Sequence, residues 1–410
     1  MMPVNAPDAA VKGRGALDGL RVLDMSRVMA GPLAGQVLAD LGADVIKIER
    51  PGRGDDTREW APPFVTAQPA SPLDDSAYFW TCNRGKRSVV ADIATAEGQD
   101  LVRHLAAGSD VLIENYKVGS LAKYGLDYAS LAEVNPRLVY CSITGFGQTG
   151  PYRFRPGYDT VVQGMGGLMS ITGNADDMPG GGPRKAGIAV ADQMTALYAD
   201  VAILAALRER DRSGLGQHLD LSLLDVQVAA LTNIGIGYLA TGNLPRRAGN
   251  RLATVYPSDS FRCADGDVMI IVGNDGQFRS FCAALGLEGV AEDPRFARNE
   301  ARLRHADLLA PLIEQALAPR GLADALALFE AAGVPASPIN NLAQVFSDPQ
   351  VVARGMVREI AREDGHRVRV IGSPIRMSRT PPRNDRPPPR LGEHTKEVMQ
   401  EAGHVAGEIP

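Results

Sequence analysis

The sequence predicts an α/β protein in two parts: a large domain built on a parallel sheet with covering helices, and a smaller α+β domain. Three observations carry this. Residues 20–49 run strand, glycine turn, helix, strand, which is a βαβ unit. The alternation of strands and helices continues to Ile143. From Ser260 the texture changes to a short hairpin followed by several helices, and 410 residues leave room for both parts.

Taken in order, residues 20–24 (LRVLD) form the first strand, Ala30-Gly31-Pro32 opens a turn, and a helical pattern reaches Leu41 before the strand at 45–49 (VIKIE). The turn offers only Gly31 and Gly35 around a proline, not the G-x-G-x-x-G fingerprint, which weighs against NAD or FAD. ERPGRGDDTREWAPP, rich in Pro, Gly and charge, reads as a surface loop carrying Arg50, Arg53, Arg58 and Trp60. Arg84, Lys86 and Arg87 make a basic cluster, open between a phosphate or carboxylate contact and a solvated strand edge. A helix over 97–107, a strand over 111–114, a short helix near Leu121 and a strand over 138–143 follow, the last leading into TGFGQTGP. Ligands bind at the carboxyl ends of parallel strands, which makes Arg50 and Lys123 binding candidates.

Residues 155–192 (RPGYDTVVQGMGGLMSITGNADDMPGGGPRKAGIAVAD) combine the pair Tyr158 and Asp159, two glycine clusters and Asp192. Met194, Leu197, Tyr198, Val201, Leu204 and Ala205 then recur at three- and four-residue spacing, the mark of a helix with one buried face. Asp192 is expected as its N-cap, and two readings of it stand side by side. One is a carboxylate that accepts a backbone N–H and stabilises the helix by about 1 kcal/mol. The other is a nucleophile that exposed N–H groups and the helix dipole keep ionised and aimed. Gly164, Gly166 and Gly167, then Gly180, Gly181 and Gly182, either admit a bulky ligand close to the backbone or serve loop turns.

A second long apolar helix, 225–239, leads to the basic turn Pro245-Arg246-Arg247. SFRCADGDVMIIVG is a hairpin turning at Asp265-Gly266. Helices follow over 277–285 and 301–317, with another ending at Ala332, and GVPASP (333–338) breaks the pattern. A strand over 367–371, a proline-rich extended run over 379–390 and a capped helix from His394 and Thr395 close the chain. That tail cannot form a core alone, so it is expected to pack back onto the first domain or onto another subunit. The domain division is then 1–224 with 340–410, and 225–339 as linker helix and small domain.

Forty-three Lys and Arg against 48 Asp and Glu give a net charge of −5, which provides no electrostatic case for nucleic acid or a membrane surface. The four cysteines, Cys82, Cys141, Cys263 and Cys282, have neither C-x-x-C spacing nor a disulfide pattern, and the six histidines lack metal-ligand spacing. No metal is expected, and the default compartment is a reducing one, the cytoplasm. No apolar run approaches the ~20 residues that span a bilayer, and MMPVNAPDAAVKGRG reads as a frayed leader without a signal-peptide core.

Several segments together resemble the class III coenzyme A transferases, the family of formyl-CoA transferase and carnitine CoA-transferase. They are LDMSRVMAGPLAGQVLADLGADVIKIERPGRGDDTREW, NRGKRSVVADI, VLIENYKVGSLAKYGLDY, YCSITGFGQTGPYRFRPGYDTVVQGMGGLMSITG, GVPASPINN and RLGEHTKEV. SRVMAGP, ERPGRGDDTREW and CSITGFGQTGP look most like the succinyl-CoA-dependent dicarboxylate members, such as the glutarate and itaconate transferases. The resemblance implies a Rossmann-like large domain completed by the C-terminal tail, a small α+β domain and an interlocked homodimer. It implies transfer of CoA from an acyl-CoA donor, succinyl-CoA, to a free dicarboxylate through an aspartyl-acyl mixed anhydride. CoA thioester is then a substrate, and no cofactor is permanently bound.

By the same resemblance Asp192 is the nucleophile, with backbone N–H groups near 164–167 or at the helix start as candidate oxyanion donors. CoA and substrate contacts fall on Met29, Ala30, Arg50, Ala91, Ile93, Asn115, Tyr116, Lys123 and Tyr158. Met29 stands where formyl-CoA transferase has glutamine, and that enzyme's tetraglycine loop has no counterpart beyond GNDGQ at 273–277, which argues against formate or oxalate. A distal acceptor carboxylate needs a cation, for which Arg27, Arg84, Arg87 and Arg247 are candidates. The alternatives are an α-methylacyl-CoA racemase-like epimerase of the same fold or a non-catalytic CoA-binding protein. The racemases use a histidine in G-H-D where this chain has Tyr158, and a tyrosine titrating near about 10 is a poor base at neutral pH.

Overall fold

The computed structural model describes residues 15–60, 63, 76–362, 365–383 and 385–403. The expected leader, residues 1–15, lies outside the described residues except for Gly15. Two compact units are present. The first takes the described residues up to Leu168, Ala186–Ala240 and those from Gln350 on; the second takes Met169–Lys185 and Thr241–Pro349. The division therefore falls at 240 and 350 rather than 224 and 340, and 169–185 goes with the smaller unit.

In the first unit β1 (Arg21–Asp24), β2 (Asp44–Glu49), β3 (Lys86–Val90), β4 (Val111–Glu114), β5 (Val139–Thr144) and β6 (His218–Ser222) form one parallel sheet. Its order is β3-β2-β1-β4-β5-β6. The helices are α1 (Ala30–Asp40), α2 (Ala77–Thr81), α3 (Ala96–Ala107), α4 (Tyr128–Val134), α5 (Asp159–Met165), α7 (Val190–Ser213), α8 (Leu223–Ala229) and α9 (Thr232–Thr241), with 3-10 turns at Asp56–Glu59 and Ala122–Tyr124; α6 (Leu168–Ile171) begins at the last residue of this unit's first stretch and falls mostly in the second unit. Alternate strand residues feed opposite faces. Val22, Val45 and Val111 pack with α1 and α7 through Ala34, Leu38, Ala199 and Ile203. Leu23, Ile46 and Leu112 pack on the other face with Leu101 and Leu105 of α3 and with Leu131 of α4. Burial on both faces explains why these strands read as unbroken apolar runs.

Strand β3 hides in a basic stretch because its cations are neutralised inside the fold. Lys86 Nζ donates to Asp24 Oδ2 at 2.7 Å, and Arg87 pairs with Asp44 at 2.6 Å, Glu401 at 2.8 Å and Glu397 at 3.0 Å. Arg84 binds Asp40 through Nε at 3.0 Å. The basic cluster is thus neither a solvated edge nor a phosphate site, and Arg84 and Arg87 are not spare cations. The single long helix expected over 225–239 is two, α8 and α9, bent by 75°. Thr232, the first residue of α9, has φ +45°, which a continuing helix cannot accommodate. Against the expectation of no long apolar run, the 24 residues of α7 are long and apolar enough to cross a membrane by length and composition. Ala191, Ala196, Ala199 and Ile203 instead pack on the sheet, so the buried face is not the expected one: Leu197, Tyr198, Val201, Leu204 and Ala205 are exposed.

In the second unit β7 (Ser258–Arg262), β8 (Asp267–Ile271) and β9 (Ala336–Pro338) are antiparallel, so the expected break at 333–338 ends in a short strand. Helices α10 (Asp275–Leu285), α11 (Glu288–Ala291), α12 (Asn299–Arg304), α13 (Ala306–Leu317), α14 (Leu322–Ala331) and α15 (Leu342–Ser347) accompany them. The helix expected over 301–317 is interrupted at His305. Phe278, Phe281 and Phe329 centre this core, the last two stacked at 5.5 Å.

After α16 (Pro349–Ala353), the hairpin β10 (Val357–Ala361) and β11 (Arg367–Ile371) precedes α17 (Thr395–Glu401). The tail closes the β3 edge of the first unit. His394 N–H donates to Ser88 O at 3.0 Å, the Thr395 hydroxyl accepts Val90 N–H at 3.1 Å, and Val398 joins the sheet core.

Candidate active site

The strand order reverses direction between β1 and β4, and at such a switch point a crevice opens beyond the carboxyl ends of the strands. The two loops that border it are tied together by one side chain. Asn115 accepts Arg27 N–H at 2.8 Å and donates to Arg27 O at 2.6 Å. Beside it Glu114 accepts Tyr116 N–H at 2.7 Å, and burial pushes the Glu114 carboxyl up to about 7.

The β1–α1 loop is held from below. Buried Lys47 donates to Ser26 O at 2.8 Å and pairs with Asp55 at 2.9 Å, while Asp55 Oδ1 accepts Val28 N–H at 3.2 Å. Val28 has φ +73°, a region that a β-branched residue occupies only when its surroundings enforce it. That turn sets Met29 and Ala30 against the crevice.

Two cavities share Arg27, Tyr116 and Lys117. The first, about 200 Å³, is walled by Met29, Ala30, Asn115, Tyr116, Tyr158 and Asp192. The second, about 400 Å³, has Arg50, Ile93 and Lys123 on its walls. Nine of the ten expected site residues therefore lie on this pair of cavities. Ala91 does not. It is buried at the end of β3 with its N–H donated to Glu49 O at 2.9 Å. Gly145 and Gly157, on the first cavity's wall, touch backbone to backbone, since a Cβ on Gly145 would sit 2.6 Å from Gly157 Cα. A cavity of about 530 Å³ lies elsewhere in this unit, at the opposite ends of β2 and β3, where Asp40 and Arg84 already satisfy each other.

Asp192 is not the N-cap of α7. Ala189 holds that position, and Asp192 lies in the first turn with its side chain 8% exposed. The carboxylate at the helix mouth is Asp159, the first residue of α5. Its Oδ1 accepts Ala191 N–H at 2.8 Å and Asp192 N–H at 3.3 Å, and its Oδ2 accepts Gln163 Nε2 at 2.6 Å. These helix N–H groups are thus neither stabilising Asp192 nor waiting for an oxyanion. Burial first, and the Asp159 charge second, push the Asp192 carboxyl up to about 7. The glycines at 164–167 also take another part. Gly164 is inside α5, and a Cβ on Gly166 would meet Gln227 Cγ at 2.4 Å, so the close approach is to the protein itself.

Three groups at this site escaped the sequence reading. Tyr78 donates to Met29 Sδ at 3.5 Å, and its phenol is pushed up to about 12 by burial and then by the Asp192 charge. Arg153 and Arg155 line the Asp192 cavity, each over a neighbouring ring, Phe154 at 4.4 Å and Tyr152 at 3.9 Å. Among the described residues neither has a carboxylate partner. Of the cations expected for a distal carboxylate, Arg27 lines the cavity but pairs with Asp56 at 3.0 Å. Arg247, in the second unit, pairs with Asp176.

A buried carboxylate in a crevice at a parallel-sheet switch point agrees with the whole-chain comparison. Residues 17–395 match the family described as CoA-transferase family III. The chain belongs to that family. This CoA-transferase is 51% identical over 385 residues to succinate–glutarate CoA-transferase of Agrobacterium fabrum, covering 94% of this chain and 95% of that one. It is 40% identical over 385 residues to succinyl-CoA:glutarate CoA-transferase of Mus musculus, covering 94% of this chain and 86% of that protein. The crystal structure of a CAIB/BAIF family protein from Brucella suis superimposes with a TM-score of 0.86 at 47% identity, covering 95% of this chain and all of that one. The chain is a transferase whose substrates are CoA thioesters and carboxylic acids.

Proposed function

We propose that the donor is succinyl-CoA, that the acceptor is a C4–C6 dicarboxylate, and that Asp192 carries CoA between them through acyl anhydrides. The observation that supports this most is the placement of a buried carboxylate, Asp192, on a cavity that shares its wall with the switch-point crevice. CoA must end on the acceptor and the enzyme must be regenerated, which sets the order of bonds. Asp192 attacks the succinyl carbonyl, the C–S bond breaks and CoA leaves as thiolate, forming a mixed anhydride. The thiolate returns to the aspartyl carbonyl, releasing succinate and leaving CoA on Asp192 as a thioester. The acceptor carboxylate displaces that thiolate to form a second anhydride, and the thiolate attacks the acceptor's acyl carbon to free Asp192. Burial limits loss of these intermediates to water.

Arg50, Ile93 and Lys123 are read as contacts to the nucleotide end of CoA, and Met29, Ala30, Asn115, Tyr116 and Tyr158 as contacts nearer the thioester. Arg153 and Arg155 replace the earlier candidates for the distal carboxylate, as guanidiniums on the Asp192 cavity with no acidic partner among the described residues. The names of the glutarate relatives support the dicarboxylate. We place the enzyme in the cytoplasm as an interlocked homodimer. Four unpaired cysteines agree with the compartment. Exposed Leu197, Tyr198 and Val201 on α7 and Ile236 and Leu239 on α9 suit a subunit interface. A donor–acceptor matrix read by mass spectrometry tests the substrate assignment. Turnover with formate or carnitine and none with dicarboxylates would refute it.

A further inference from the structure

The N-termini of α5 and α7 converge so that two aspartates share one helix mouth. Asp159, 9% exposed, fills it, accepting both Ala191 and Asp192 N–H on a single oxygen. Asp192, in the first turn of that helix, is left without those donors and beside a like charge. A helix start ordinarily steadies a carboxylate of its own first turn, so this arrangement reverses the usual effect. Were Asp159 only a cap, a neutral acceptor of the same shape would serve equally.

From this geometry we infer that Asp159 is a positioning residue for the transferase reaction, fixing the start of α7 while its negative charge keeps the Asp192 carboxylate basic and reactive. The inference rests on Asp192 being the nucleophile. When Asp192 attacks a thioester carbonyl, its charge moves onto the carbonyl oxygen and away from Asp159. Repulsion present before attack is thereby relieved as the transition state forms. A more basic carboxylate is also the stronger nucleophile.

The surroundings do not cancel that repulsion. Tyr78 of α2 faces Asp192 as a neutral phenol. Arg27, before α1, is committed to Asp56 of the neighbouring 3-10 turn. Tyr116 and Lys117 after β4 and Arg153, Arg155 and Tyr158 before α5 share the cavity wall. Burial and the Asp159 charge are what raise Asp192, with no cation offsetting them.

The test is the pH dependence of single-turnover CoA release from succinyl-CoA in wild type and in Asp159→Asn. Asparagine keeps an oxygen to accept both N–H groups and removes the charge, its amide nitrogen replacing the oxygen that accepts Gln163 Nε2. The wild type is expected to gain rate with a midpoint near about 7, and the variant's midpoint to fall by roughly one pH unit or more. Above the midpoint of both, its rate should drop about threefold, taking a Brønsted slope of about 0.4–0.5 as for thiolates. An unmoved midpoint in a folded variant, or a wild-type midpoint in the ordinary carboxylate range, overturns the inference; the second readout needs no variant. Hydroxylamine trapping on the Asp192 peptide, run alongside, separates this from failure of the nucleophile assignment. A trapped label with an unmoved midpoint removes the role of Asp159 alone, and absence of a label removes both.

Discussion

Asn115 grips the main chain of Arg27 from both sides, accepting its N–H at 2.8 Å and donating to its carbonyl at 2.6 Å. The contact staples the loops after β1 and β4 across the switch point, where the two cavities meet.

Asn115→Ala releases both loops. Losing two hydrogen bonds of about 1 kcal/mol each should raise KM for the CoA thioester by up to about 30-fold. The change in kcat should be smaller, because Asp192 is held by other elements. Steady-state kinetics with succinyl-CoA varied at saturating acceptor measures this, and an unchanged KM would show that the staple does not organise the CoA site.

Replacing Arg153 and Arg155 by alanine should lower kcat/KM for dicarboxylate acceptors by about 10- to 100-fold, the worth of a charge-assisted hydrogen bond. Monocarboxylate acceptors should be far less affected. Equal losses for both classes would mean the two guanidiniums serve CoA rather than the acceptor.

Asp200, two turns along α7 from Asp192, is buried with neither carboxylate oxygen hydrogen-bonded. Burial first, then the Asp40 charge, push its carboxyl up to about 9. Unfolded, it titrates as an ordinary aspartate near about 4. Between those values the folded state binds the extra proton, so this group's contribution to stability is greatest below about 4 and is lost progressively as pH rises towards 9. Asp200→Asn should therefore gain on wild type with rising pH, by on the order of 1–3 kcal/mol at pH 8. Denaturant unfolding of both proteins across pH 5–9 reads the difference, and a constant difference would contradict the account.

How much of this was legible in the sequence depended on how far apart the interacting residues lie. The strands over 111–114 and 45–49 and the hairpin turn at Asp265-Gly266 are local patterns, and the structure has them where periodicity put them, to within a residue. Strand β3 was illegible because the carboxylates that let Lys86 and Arg87 be buried, Asp24, Asp44, Glu397 and Glu401, come from other elements and the tail. The N-cap expectation for Asp192 failed for the same reason. Its helix is capped by Asp159, a partner 33 residues upstream that no local rule could supply. Family likeness located nine cavity residues without geometry, yet missed Tyr78, Arg153 and Arg155, which lie in segments it quoted or adjoined but which only the fold brings to Asp192. The bend at Thr232 has no proline or glycine at its centre to announce it.

The most direct test of Asp192 as the nucleophile that carries CoA is peptide mapping after turnover with succinyl-CoA in the presence of hydroxylamine, in wild type and in Asp192→Asn. A hydroxamate on the Asp192 peptide of the wild type, with the asparagine variant folded, able to bind CoA and reduced to background turnover, is the predicted result. Substantial transferase activity in Asp192→Asn, or a label on Asp159 or Asp176 instead, would contradict it.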